Sequence, residues 1–203
     1  TFMLNVYLAR HGQDEDNANG ILNGRRDMPL TTLGVNQAKE LAEKIKSLGI
    51  KFEKAYASPL KRAYETARII TNALKIEDPK VSDLLIERDF GIMTGKSVSE
   101  IKEMCAPDIL ETENITYFLC PGGAETFPQL MERANKLLAF LNECYKEGNI
   151  LLVGHGNIGK MIYAQYYNLD WHEVLRMFHF GNSDLLLLSP KSPANEPYVF
   201  KVA

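Results

Sequence analysis

Apolar residues recur along this chain in two rhythms: short unbroken runs, and longer stretches in which they return every three to four positions. Met3-Leu4-Asn5-Val6-Tyr7-Leu8 is a run of the first kind and reads as a short buried strand. After a polar, glycine-rich stretch, a threonine following Pro29-Leu30 caps a helix with Ala38, Leu41, Ala42, Ile45 and Leu48 on one face, ended by Gly49. Residues 54–57 predict another strand. Ser58-Pro59 predicts the cap and first-turn proline of a second helix, running to about Leu74. Residues 81–90 read as extended, 97–104 as a short helix, and 107–123 as irregular, an insertion or lid. Thr126-Phe127-Pro128-Gln129 matches a capping box. It opens a helix that carries Leu130, Met131, Ala134, Leu137, Leu138 and Leu141 on one side. The run at 150–153 is a buried strand that passes directly into Gly154-His155-Gly156-Asn157 and another helix. Two more strands are expected at 183–189 and 198–202. This alternation predicts an α/β fold, a three-layer sandwich with a mainly parallel central sheet and helices on both faces. With no repeat and no Pro-, Gly- or Ser-rich linker, one domain is expected over 1–203, with a specificity insert at about 92–125.

Composition narrows the possible partners. The 203 residues are 45% hydrophobic and 24% charged, with a formal net charge of −3, as expected for a globular protein without a nucleic-acid surface. There is no run of ~18 apolar residues to span a membrane. The first residues lack the succession of a signal peptide, and Thr1-Phe2 before Met3 reads as a remnant. A cytoplasmic protein is therefore expected. Cys105, Cys120 and Cys144 are odd in number and without metal-type spacing, which fits thiols in a reducing compartment. Asn114-Ile115-Thr116 matches a glycosylation sequon but reads as chance without a secretion signal.

Candidate chemistry gathers where strands end. In Leu8-Ala9-Arg10-His11-Gly12, arginine offers a planar fork of donors to phosphate oxygens and histidine a nitrogen lone pair near neutral pH. Glycine lets the backbone approach a ligand. His155 repeats the pattern at a second strand end, and open α/β sheets bind ligands at such ends. Two glycine patterns point elsewhere and fail. Gly154-x-Gly156-x-x-Gly159 lacks the acidic strand end ~20 residues on that a dinucleotide ribose requires. Gly91 to Ser97 has three residues between its glycines where a P-loop needs four. Arg62, in the first turns of a helix, and Glu87, beside Leu84-Leu85-Ile86, complete the candidates.

Taken together, these segments resemble the histidine phosphatase superfamily, the phosphoglycerate-mutase-like group. The matching segments are Arg10-His11-Gly12 with Asn17, Asn23-Gly24, Asp27-x-Pro29-Leu30-Thr31-x-x-Gly34-x-x-Gln37-Ala38, and Ser58-Pro59-Leu60-x-Arg62-Ala63-x-x-Thr66-Ala67. Glu87-x-x-x-Gly91, Gly154-His155-Gly156-Asn157 and Asn182-Ser183 follow in family order. The resemblance implies that His11 is a nucleophile carrying the phosphoryl group as phosphohistidine. Arg10, Arg62 and His155, three cationic side chains, would surround the phosphoryl oxygens, and Glu87 would be general acid and base. Asn17, Asn23, Gly24, Gly156, Asn157 and Asn182 would complete the pocket. No metal and no cofactor is implied, and the implied partner is a small phosphorylated metabolite. Oligomeric state stays open.

Departures from the family pattern set further expectations. Gln13-Asp14 stands where Glu and a hydroxyl residue are common, so Asp14-Glu15-Asp16 places negative charge near the entrance, expected as a solvated loop. Val98 stands where the mutases carry a lysine, and from Ser97 to Glu125 the basic residue is Lys102 against Glu100, Glu103, Asp108, Glu111, Glu113 and Glu125. Gly91-x-x-x-Gly95-Lys96 and Pro121-Gly122-Gly123-Ala124-Glu125-Thr126 are closer to the phosphatases. A metal-independent phosphatase is the expected activity, with a cofactor-dependent phosphoglycerate mutase as the alternative. A non-catalytic phosphoryl-binding module is the alternative of another class.

Overall fold

A computed structural model describes residues 4–200. Met3 of the first expected strand and residues 201–202 of the last lie outside the described residues. The elements follow as β1 (Asn5–Arg10), a single-turn α1 (Glu15–Ala18), α2 (Thr32–Ser47), β2 (Lys54–Ala57), α3 (Lys61–Leu74) and β3 (Lys80–Val81). Then come α4 (Ile101–Cys105), β4 (Ile109–Glu111), β5 (Thr116–Phe118), α5 (Phe127–Cys144), β6 (Asn149–Gly154), α6 (Gly156–Tyr167), α7 (Trp171–Met177), β7 (Leu185–Leu188) and β8 (Tyr198–Phe200).

The main sheet runs β3-β2-β6-β1-β7-β8. β3, β2, β6 and β1 pair in parallel, while β7 and β8 add antiparallel pairs at one edge. Side chains alternate across it with the strand period of two. Val6, Leu8, Ile150 and Leu152 pack with Leu130, Leu137 and Leu141 of α5 and Ile158, Met161 and Ile162 of α6. On the other face Ala9, Ala55, Ala57, Leu151 and Val153 pack with Leu41 and Ile45 of α2 and Ala63, Ala67 and Ile70 of α3. Each fully buried Leu, Ile or Phe contributes about 1.5–3 kcal/mol, so these two seams, and not helix propensity, hold the helices on the sheet. The small residues Ala9, Ala55 and Ala57 let α2 and α3 approach closely. This is the expected three-layer α/β sandwich. Among the described residues no helix is long and apolar enough to cross a membrane.

Thr31 caps α2 through Gly34 N, and Thr126 forms the expected capping box with Gln129. Three expectations are corrected. The extended stretch at 81–90 ends as a strand at Val81 and continues as 3₁₀ turns at Asp83–Leu85 and Gly91–Met93, because Leu85 turns inward to a fully buried position. The irregular 107–123 contains a hairpin in which Ile109–Glu111 pairs antiparallel with Thr116–Phe118. Helix α3 begins at Lys61 with Leu60 at its cap, and Ser58 makes no cap for it; its hydroxyl is engaged elsewhere.

Candidate active site

Parallel pairing brings three strand ends together. Arg10 is in register with Gly154, His11 N donates to Gly154 O at 3.0 Å, and Ser58 N donates to Val153 O at 3.0 Å. His11, His155 and Ser58 therefore emerge side by side, and the two imidazole rings lie 5.1 Å apart. Gly12 serves a close backbone approach: a Cβ there would lie 2.4 Å from Gly34 O, and one on Gly34 would lie 2.0 Å from Gln13 O. The glycine pair lets the first turn of α2 lie against the backbone that follows the histidine.

His11 Nδ1 lies 2.6 Å from Gly12 O. A carbonyl only accepts, so Nδ1 carries the proton and Nε2 keeps its lone pair. Arg62 Nε donates to that Nε2 at 3.3 Å. Burial, then the Arg62 and Arg10 charges, hold the imidazole pKa well below the ordinary histidine value. The ring is neutral at neutral pH.

His155 Nε2 lies 2.7 Å from Ser58 Oγ, which already accepts from Leu60 N. Burial and the Arg62, His11, Arg10 and Arg133 neighbours lower the pKa of His155 as well. The third cation expected of this site is thus a neutral imidazole. His155 Nδ1 and Arg10 Nε are buried without a partner among the described residues.

Arg62 is buried in α3. Its guanidinium donates to Gly24 O and Arg26 O, each at 2.6 Å, and Nε lies 3.5 Å from Asp14 Oδ2. Thr66, one turn on, accepts from Gly12 N at 3.1 Å and donates to Arg62 O at 2.7 Å. Arg10 donates to Phe180 O at 2.9 Å. The acidic run is not a solvated loop. Asp14 is fully buried and caps α1, accepting from Asn17 N at 2.7 Å and Asn23 Nδ2 at 3.0 Å. Asp16 is buried too and pairs with Arg26 at 2.8 Å, while Glu15 is exposed. Asn182 Nδ2 bridges His11 O at 3.2 Å and Asn17 Oδ1 at 3.1 Å.

Glu87 meets the amino end of α6. Oε1 accepts from Arg88 N at 2.8 Å and Ile158 N at 3.1 Å, and Oε2 from Asn157 N at 3.2 Å. The loop that carries it is gathered by Arg133 of α5, which donates to Leu84 O, Ile86 O and Glu87 O at 3.0, 2.6 and 3.3 Å and makes a two-pronged pair with Glu125. Arg88 does not pair with Glu87 through its side chain. It donates to Glu125 O and Leu119 O and packs over Phe118 and Phe127.

A cavity of about 450 Å³ opens over this cluster, lined by Arg10, His11, Asn17, Asn23, Glu87, Gly156 and Asn157. Val98, Ile101, residues 112–117, Lys160 and Phe180 line it as well. Arg62, His155, Gly24 and Asn182 stand behind His11, in the contacts just described. From sequence, Ser58 is expected only as a helix cap, and Thr66, Arg133, Glu125 and Lys160 are given no role in the site. Thr66 had a signal in its four-residue spacing from Arg62; Arg133 had none, since it acts across 46 residues on backbone oxygens. Among the described residues no cluster of His, Cys, Asp or Glu is arranged to hold a metal ion.

Fold and site together define a phosphoglycerate-mutase-like α/β protein built around paired histidines. The family model of the histidine phosphatase superfamily (branch 1) matches residues 6–196, and the chain belongs to that superfamily. A 2,3-bisphosphoglycerate-dependent phosphoglycerate mutase of Parvibaculum lavamentivorans is 31% identical over 85% of this chain and 84% of its own. A broad-specificity phosphatase of Saccharomyces cerevisiae is 27% identical over 89% of this chain and 77% of its own. Among solved structures, phosphoserine phosphatase of Entamoeba histolytica in complex with 3-phosphoglyceric acid is similar with a TM-score of 0.72 and 26% identity, covering 91% of this chain and 90% of that one.

Proposed function

We propose that this chain is a metal-independent phosphatase that hydrolyses a small phosphomonoester through a phosphohistidine on His11. The observation that carries the reading is the state of His11: proton fixed on Nδ1 by Gly12 O, lone pair on Nε2, ring neutral at neutral pH. Such a nucleophile needs no separate base. Nε2 attacks phosphorus, the N–P bond forms as the P–O bond to the alcohol breaks, and Glu87, as general acid, delivers a proton to the leaving oxygen. In the second half Glu87 takes a proton from water as that oxygen attacks phosphorus, and the N–P electron pair returns to Nε2. Arg10, Arg62 and His155 hold the phosphoryl oxygens. Arg10 Nε is a buried donor that such an oxygen satisfies. Asn17, Asn23, Gly24, Gly156, Asn157 and Asn182 complete the pocket, and two guanidinium groups supply its charge. One catalytic domain covers 1–203, and 92–125 reads the substrate, because Val98, Ile101 and 112–117 line the cavity.

Residues 92–125 line the cavity with Glu113 and no cation, leaving Lys160 beside Arg10 as its cations; a single further cation favours hydrolysis over retention of a bisphosphorylated intermediate. The mutase reading is favoured by the name of the 31% identical relative. Turnover decides between them. Metal-free phosphate release is measured on a panel that includes phosphoserine and 3-phosphoglycerate, for wild type and His11→Ala, with a trace of 2,3-bisphosphoglycerate in one arm. Release that disappears in the variant is expected. Isomerisation without release assigns the mutase, and phosphate binding without either activity assigns the non-catalytic module.

A further inference from the structure

Tyr117 ends in a hydroxyl that packing does not account for. It stands in β5 with 5% exposure, its ring edge-on to Phe127 at 5.9 Å. Phenylalanine would fill that space as well. Buried tyrosine hydroxyls ordinarily find a partner. In this chain Tyr163, Tyr166 and Tyr167 donate to Ala194 O, Leu4 O and Ser189 O, while Tyr56 and Tyr145 bond each other. The hydroxyl of Tyr117 has no hydrogen-bond partner among the described residues and is open to the His11 cavity, whose wall Tyr117 shares with Arg10 and Glu87. Helix α6 relates the tyrosine to Glu87. The first-turn amides of Asn157 and Ile158 hold the Glu87 carboxylate. Lys160, about 4.5 Å further along the axis than Asn157, has its ammonium 5.7 Å from the centre of the Tyr117 ring. The ring therefore lies along the first turns of α6, from whose end Glu87 is presented. Burial, ahead of the opposed fields of Arg10 and Glu87, raises the phenol pKa, so the hydroxyl stays protonated at neutral pH and keeps lone pairs to accept with.

We propose that Tyr117 is a further catalytic residue, which holds the attacking water between its hydroxyl and Glu87 and so directs the phosphoryl group to water. This rests on the phosphatase reading for the phosphohistidine on His11. The alcohol leaves, and the water enters, on the side of phosphorus opposite His11 Nε2, so one oxygen position serves both halves of the reaction. A water in that position has two protons. Glu87 takes one as the oxygen–phosphorus bond forms and the N–P electron pair returns to Nε2. The other stays on the oxygen and is donated to Tyr117 Oη. An alcohol has a single hydroxyl proton, which goes to Glu87, and nothing remains to donate to Tyr117. The contact is therefore made by water and not by an alcohol.

The test uses Tyr117→Phe, which keeps the ring and removes the hydroxyl, with p-nitrophenyl phosphate as substrate and methanol as a competing acceptor. Wild type is expected to release a burst of nitrophenol and then turn over at the slower rate of phosphohistidine hydrolysis. The variant is expected to keep the burst rate within about 3-fold, lose at least ~10-fold in steady-state kcat, and accumulate acid-labile phosphoenzyme. Its ratio of methyl phosphate to inorganic phosphate is expected to rise by a similar factor, a shift that a loosened site does not produce. Burst and turnover slowed equally, or an unchanged product ratio, with phosphoenzyme present in wild type, overturns this proposal and leaves the phosphatase reading standing. A wild type that forms no His11-dependent phosphoenzyme overturns both.

Discussion

Asp14 shows how much a single side chain depends on where its oxygens go. In sequence it is one of three consecutive acids beside a histidine. In the structure one oxygen caps α1, and the other takes Asn23 and stands 3.5 Å from Arg62. It therefore counters part of the charge that Arg62 offers to an oxyanion. Asp14→Ser keeps a cap acceptor and removes the charge. The substitution is expected to tighten inhibition by inorganic phosphate several-fold while lowering stability by about 1–3 kcal/mol, read from the inhibition constant and the urea midpoint. Gly12→Ala is expected to destabilise more, because its Cβ meets backbone at 2.4 Å and cannot be relieved by a rotamer change. The candidate site residues themselves were legible in sequence, since Arg10-His11-Gly12 and Gly154-His155-Gly156 sit at strand ends. Their protonation was not, since it depends on Gly12 O and Ser58 Oγ, and on burial.

Among the elements, α2 and α5 were legible because each buries one regular face and carries its own cap. Residues 81–93 were not, because their course is set by α5. Arg133 collects three carbonyl oxygens of that segment and pairs with Glu125, bonds that no local pattern announces. The hairpin at 109–118 was missed for a similar reason. Its strands are three residues each, too short to show alternation, and they are stabilised by Leu110, Tyr117 and Phe118 turning into the core. Because Arg133 positions Glu87 without touching the cavity, Arg133→Met is expected to lower kcat by ~10- to 100-fold with little change in KM. A matched fall in the affinity for vanadate would show a wider collapse of the site.

For the molecule as a whole, burying two neutral histidines makes stability depend on pH. Both have folded-state pKa values below the ordinary one, so below about pH 6.5 the unfolded chain binds protons that the folded chain refuses. Stability is then lost as pH falls, by up to about 1.4 kcal/mol per pH unit for each histidine. Urea midpoints between pH 7.5 and 5.5 are expected to fall, and to fall less steeply for His155→Gln. The same burial acts on anions. With Arg10 Nε inside and unpaired, the folded chain holds a buried charged donor in place ahead of the anion. An oxyanion at 100 times its Kd adds about 2.7 kcal/mol, or roughly 5–11 °C for a chain of this size. Buffer composition thus becomes a determinant of how stable the protein is, and a thermal melt in phosphate, sulfate or vanadate against one in chloride ranks ligands before any reaction is assayed.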